Sequence, residues 1–188
     1  MGFLPAWLNP FDVLIVFALV GGTALGFVRG LMRMVLSLLV LYIAAVLAMT
    51  FYDDVGRYLT YMFGLPQAVA QALAFVLILI LTTTLITFIL RRTYRDTALP
   101  GLRQVDQLGG MVVGFFVSVI WIGFAIIALA FVLATPVSEE GSLHMSLLGY
   151  FHNSNLIPIF YAVLPIILAT LKPWMPKGLP PEILSLRL

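Results

Sequence analysis

The sequence contains no cysteine and few charged residues. Of its 188 residues, 10% are Asp, Glu, Lys or Arg, whereas about 25% of a soluble domain is charged. Without cysteine the chain cannot form disulfides, ligate an iron–sulfur cluster or react through a thiol. The ten Lys and Arg are scattered and the formal net charge is only +2, so the composition argues against a nucleic-acid-binding surface.

Apolar residues make up most of the chain. They account for 62% of the sequence, and the mean hydropathy is +1.12. This composition predicts a membrane protein with room for one compact helical domain. The N-terminus lacks the basic region of a cleavable signal peptide, and its apolar run is too long for one, so we expect a retained membrane anchor.

The first apolar run, from Phe11 to Phe51, is about twice the roughly 20 residues that a membrane-spanning helix needs. The chain must therefore turn back within it. The only polar interruption extends from Arg29 to Arg33. We interpret it as a hairpin between two spans, Phe11–Val28 and Met34–Phe51.

Two further apolar runs predict a third span over about Ala68–Leu90 and a fourth over about Leu108–Ala134. Leu156–Leu171 is uncharged but short and contains two prolines, which favours an interfacial or re-entrant segment over a fifth span. The expected fold is an all-α membrane protein. Residues 1–135 would form a four-helix transmembrane domain, and residues 136–188 an outer loop, the interfacial segment and a proline-rich tail.

The distribution of arginine predicts the orientation of the spans. The first and third connections carry six arginines, namely Arg29, Arg33, Arg91, Arg92, Arg95 and Arg103. The second connection has only Arg57, beside two aspartates. Because basic connections stay in the cytoplasm, we expect both termini outside. A fifth span would move the C-terminus inside.

Two helices carry small residues at four-residue intervals. They are Gly22, Gly26 and Gly30 in the first span and Gly110, Gly114 and Ser118 in the fourth. In the predicted topology both sets lie toward the cytoplasmic side. Small residues let helix backbones approach closely in a bilayer, so we expect helix 1 to pack on helix 4. Homodimerisation through the same residues is the alternative.

These residues belong to a pattern that resembles the colicin V production protein (CvpA) family. It extends over about Asn9 to Ile159. It comprises Asp12, the segment Gly26-Phe27-Val28-Arg29-Gly30 with Arg33 and Leu36-Ser37-Leu38, the basic residues Arg91 and Arg92 at the end of the third span, Asp106 ahead of Leu108-Gly109 and Gly114, and Asn155-Leu156-Ile157-Pro158. Two positions depart from the family pattern: Met34 stands where an acidic residue is usual, and Val117-Ser118 replaces an Arg-Gly pair. The resemblance implies a bacterial inner-membrane protein linked to colicin V production or export and to envelope maintenance, without an established chemical activity.

Several polar residues have both a structural and a functional interpretation. We expect Asn9 to cap helix 1 and Asp12 to lie in its first turn, where the helix dipole favours a negative charge; a proton or ion site at Asp12 is the alternative. Asp106 would form an ion pair with Arg29, Arg33 or Arg103 rather than a transport site. We expect the threonines of helix 3 to bond to backbone carbonyls or to a neighbouring helix, with a pore lining as the alternative; they are Thr82, Thr83, Thr84 and Thr87.

No sequence motif indicates catalysis. His144 and His152 lie in the outer region with nearby Glu and Ser residues, but no metalloprotease, nucleophile-elbow or phosphate-loop motif is present. We therefore predict no enzyme, no cofactor and no bound metal. The leading function is a non-catalytic component of a secretion or envelope assembly, with the lipid bilayer and other membrane proteins as partners. A small oligomeric channel or transporter is the alternative, and self-association is possible.

Overall fold

The computed structural model describes residues 9–93, 103–133, 142–171 and 173. Across these residues the chain is helical and contains no strand, which confirms the all-α prediction. The helices are α1 Pro10–Arg29, α2 Leu31–Phe63, α3 Gln67–Thr93, α4 Arg103–Leu133, α5 Ser142–His152 and α6 Ile157–Leu171. The first four are long and apolar enough to cross a membrane.

A single glycine separates α1 from α2. α1 begins at Pro10, preceded by Asn9, whose side chain accepts a hydrogen bond from the Phe11 amide. It ends at Arg29, and Gly30 has a φ of 82°, which a residue with a side chain rarely adopts. The predicted Arg29–Arg33 hairpin is therefore reduced to one residue, and Arg33 already lies in the first turn of α2.

α2 is longer than the sequence predicted. The predicted second span ended at Phe51, but the helix continues to Phe63. Asp53 and Asp54, assigned to a connection, lie inside it and pair with Arg57 one turn further on, an arrangement that supports a helix. Gly64 caps the C-terminal end of the helix: its φ of 66° is left-handed, and its amide donates a hydrogen bond to the Thr60 carbonyl oxygen.

Two helix pairs make up the bundle. α1 packs along α4 and α2 packs along α3, while α2 also packs on α4 and makes few contacts with α1. α1 and α4 are antiparallel, since Gly22 lies at Ser118 and Gly26 at Gly110. We call the end of the bundle near Arg29 and Arg33 the arginine end and the opposite end the Asn9 end.

The C-terminal segment folds back onto the bundle. α5 and α6 meet at 78°, the geometry of a broken span or a re-entrant piece. Among the described residues, four helices are therefore long and apolar enough to cross a membrane, or five spans are available if the bent pair counts as one. Leu164 and Leu168 of α6 share a core cluster with Leu41, Phe75 and Phe124. Arg95 and the proline-rich tail beyond Pro173 lie outside the described residues.

Candidate functional site

The two small-residue sets predicted from the sequence meet in the structure. Gly26 faces Gly114 so closely that a Cβ added at Gly26 would lie 2.9 Å from the Gly114 Cα. A Cβ at Gly22 would lie 2.8 Å from the Ser118 Cβ, and Gly110 contacts Gly30. We call this contact between α1 and α4 the glycine seam. Any larger side chain within it would force the two backbones apart.

The Ser118 hydroxyl in the glycine seam has a hydrogen-bond partner. Ser118 Oγ donates to the Gly114 carbonyl oxygen at 2.8 Å, so a polar group in the seam is paired within its own helix. The two small-residue sets contact each other within one molecule. A homodimer of molecules with this structure would therefore have to form through a face other than the glycine seam.

Asp106 binds the start of α2 at the arginine end. Its Oδ1 accepts a hydrogen bond from the Leu31 amide at 2.9 Å, one of the amides that have no partner within the helix. Gly30 lies against the same carboxylate, which a Cβ there would overlap. The sequence predicted an arginine partner for Asp106, whereas the structure gives this carboxylate a backbone amide, and the Arg103 side chain lies outside the described residues.

Asp12 plays the corresponding role at the Asn9 end. Its carboxylate accepts hydrogen bonds from Ser154 Oγ and from the amides of Asn155 and Leu156, the last two at 3.1 Å. Ser154 Oγ in turn accepts from the Ile157 amide at 3.2 Å and so caps α6. Asp12 lies in the first turn of α1 as predicted, but the groups it binds belong to the junction between α5 and α6.

The two aspartates share one arrangement. Each lies in the first turn of one antiparallel seam helix, and each accepts hydrogen bonds from backbone amides at the start of a different helix. The glycine seam therefore has an α2 junction at one end and an α6 junction at the other. Sequence reasoning missed Leu31 and Ser154 as partners. The signal available in the sequence was that Asp12 and Asn155 both belong to the family-like pattern.

A cavity of about 670 Å³ adjoins the seam in the half of the bundle nearer the arginine end. The small number of contacts between α1 and α2 leaves this space between them. Four helices contribute to its wall: Gly22, Leu25 and Arg29 from α1, Arg33, Met34, Leu36, Ser37 and Val40 from α2, Thr83, Thr87 and Leu90 from α3, and Gly114, Val117, Ser118 and Trp121 from α4.

Two polar side chains in the cavity wall differ in their hydrogen bonding. Ser37 Oγ donates to the Arg33 carbonyl oxygen at 2.8 Å. The Thr83 hydroxyl is buried and has no hydrogen-bond partner, so the prediction that the α3 threonines bond to backbone carbonyls or a neighbouring helix is wrong for Thr83. An unpaired buried hydroxyl is costly, and this one lies in the wall of a space large enough for a ligand.

The two histidines considered in the sequence analysis lie in α5, which contributes no residue to the wall of this cavity. His152 is the last residue of α5 and its side chain is exposed, while His144 lies in the same helix with its side chain outside the described residues. Within the described parts of the chain, no three His, Asp or Glu side chains are close enough together to hold a metal ion.

Comparison with known proteins identifies the family of the chain. A family model described as colicin V production protein matches residues 11–165, which include α1 to α4, α5 and the first half of α6. The match covers both aspartates, both arginines and the whole glycine seam. No curated protein and no solved structure matches the chain.

Proposed function

Because this multi-pass membrane protein belongs to the colicin V production protein family, we propose that it is a non-catalytic component of the bacterial inner membrane. In this role it supports toxin (colicin V) production or secretion, or envelope maintenance, as an accessory subunit of a larger membrane complex. Both termini would lie outside, following the arginine distribution.

The observation that carries this proposal is the set of hydrogen bonds that Asp12 and Asp106 accept. These are the acidic residues of the family pattern, and both carboxylates accept hydrogen bonds from helix-start amides. A carboxylate that accepts hydrogen bonds from backbone amides is held in one position and connects its helix to the start of another. This arrangement supports a structural part in an assembly better than a part in proton transfer or catalysis.

The outer surface of α3 offers a face for such an assembly. Leu77, Leu81, Leu85 and Phe88 follow one another at helical spacing, and all four side chains are exposed, the last three by more than 60%. In a bilayer these side chains contact either lipid tails or another membrane helix. Helix association in lipid depends on packing rather than on hydrophobicity, so a row of large side chains alone does not identify the partner.

Site-specific photo-crosslinking in cells that produce colicin V tests the proposal. A photoreactive amino acid at Leu81 or Phe88 of α3 is compared with one at Phe17 or Val20 on the exposed face of α1. We expect one face to crosslink to a defined membrane protein, and bulky charged substitutions on that face to lower colicin V release without lowering the amount of this chain.

Two results would contradict the accessory role. The first is normal colicin V release and an unimpaired cell envelope in cells that lack the chain. The second is ion or solute flux through the purified protein in liposomes that stops when Asp12 or Asp106 is replaced by Asn. The second result would favour the alternative function, a small oligomeric channel or transporter.

A further inference from the structure

The cavity between α1, α2, α3 and α4 has the properties of an amphiphile-binding site. Its volume of about 670 Å³ falls within the roughly 300–1,000 Å³ that is usual for ligand pockets. The charged side chains in its wall are Arg29 and Arg33, and among the described residues that line it none is acidic. The charged side chains that line the cavity are therefore both basic.

Polarity changes with depth along this cavity. Arg29 is the last residue of α1 and Arg33 is in the first turn of α2, so both arginines line the cavity at the arginine end of the bundle. Further along the helices the wall contains Val40 of α2 and Val117 and Trp121 of α4. A ligand that matches this wall carries a negative charge at one end and a long apolar part at the other.

The position of the cavity relative to the membrane narrows the choice of ligand. Its walls belong to the four helices that are long and apolar enough to span a bilayer, and Arg29 and Arg33 lie at the ends of two of them, at the level of lipid headgroups. Arginine binds phosphate through charge-assisted, often bidentate hydrogen bonds, and basic pockets between membrane helices bind anionic lipid headgroups.

We propose that this cavity binds one anionic glycerophospholipid, with its phosphate on Arg29 and Arg33 and an acyl chain between α1 and α2. The lipid fills the space that the sparse contacts between α1 and α2 leave open. Arg33 contributes its side chain to the wall whatever other contact it makes. This site is independent of the accessory role proposed above, because it concerns a ligand within the molecule and requires no protein partner.

Lipid binding to the purified full-length chain tests this site. The chain is delipidated in a mild detergent and titrated with phosphatidylglycerol, while bound lipid is counted by native mass spectrometry and thermal unfolding is followed in parallel. We expect one lipid per chain and a rise in Tm. The double variant Arg29→Gln/Arg33→Gln should weaken phosphatidylglycerol binding by about tenfold or more, since each arginine near anionic lipid contributes about 1 kcal/mol.

Two matched controls distinguish lipid binding in this cavity from non-specific attraction of anionic lipid to the protein. Arg57→Gln removes an arginine that is 60% exposed and pairs with Asp53 and Asp54 near the Asn9 end, and it should leave lipid binding unchanged. Thr87→Trp fills the cavity without altering its charge and should abolish binding. Leu85→Trp, on the exposed face of the same helix, should not.

Inorganic phosphate and phosphatidylcholine distinguish the source of the ligand. Neither should raise the Tm at concentrations where phosphatidylglycerol does, because the first lacks an acyl chain and the second lacks a net negative charge. Equal stabilisation by inorganic phosphate would make this an anion site and overturn the lipid assignment. Unchanged phosphatidylglycerol binding by the double arginine variant or by Thr87→Trp would also overturn it.

Discussion

At the scale of single residues, Asp106 shows how one carboxylate fixes a chain reversal. It accepts the Leu31 amide hydrogen bond immediately after Gly30, whose positive φ lets the chain turn within one residue. The Gly30 Cα and the Asp106 carboxylate are so close that no side chain fits between them. The turn thus depends on a residue distant in sequence.

Replacing Asp106 by Ala should destabilise the fold by about 1–2 kcal/mol, the cost of losing a helix cap. Asp106→Asn keeps an acceptor oxygen and should cost less. Unfolding in a series of detergent mixtures measures the change. Asp54→Ala removes an exposed carboxylate whose ion pair is on the surface, so it should change stability by less than about 1 kcal/mol; an equal loss in both variants would contradict the capping role.

Asp12→Ala should have a larger and more local effect. It removes the acceptor for four donor groups, namely Ser154 Oγ, the backbone amides of Asn155 and Leu156, and the Asn155 side-chain amide. Hydrogen bonds to a charged group contribute about 1.5–3 kcal/mol. We expect faster hydrogen exchange at the start of α6, with the amides of α3 unaffected. Uniform acceleration along the whole chain would show that Asp12 stabilises more than this junction.

At the scale of helices, the glycine seam determines which elements pair. Gly26 and Gly114 allow a backbone contact that side chains would prevent. Gly26→Leu should therefore abolish the pairing of α1 with α4 and lower the yield of folded monomer in size-exclusion chromatography.

Gly21 provides the control for the seam. It lies in the same helix, but a Cβ added there meets no atom within 4 Å, so Gly21→Leu should leave the elution profile and the yield unchanged. If Gly26→Leu behaved like Gly21→Leu, the close contact would not be needed for folding. If Gly26→Leu instead converted a dimer into a stable monomer, the small residues would act between molecules.

The sequence predicted the helix pairing better than the helix junctions. The pairing of α1 with α4 follows from small residues at regular spacing that lie at one depth in antiparallel spans. The Asp12 contacts could not be predicted in the same way, because its partners are backbone amides more than 140 positions away and every residue has such an amide. α2 extends beyond its predicted end because three charged residues typical of a connection, Asp53, Asp54 and Arg57, pair with one another within the helix.

At the scale of the whole molecule, the arginine distribution predicts how the bundle is inserted. Tyr61 near the end of α2 is 90% exposed, and Gln104 at the start of α4 is also exposed. Single cysteines at these positions, in a chain that otherwise has none, report on opposite sides of the membrane. On intact spheroplasts an impermeant maleimide should label Tyr61→Cys and should not label Gln104→Cys. Labelling of Gln104→Cys alone would reverse the orientation.

The unexpected length of α2 has a consequence for the bilayer itself. At 1.5 Å per residue its 33 residues extend about 50 Å, while the hydrocarbon layer is about 30 Å thick. Arg33 and the Asp53–Arg57 group mark the two ends of the part that fits, and the last turns with Tyr58 and Tyr61 extend beyond it. The distance between these polar groups makes the protein sensitive to membrane thickness, so hydrophobic mismatch in thinner or thicker lipid should change the tilt of α2 and with it the position of the α2–α3 turn above the surface.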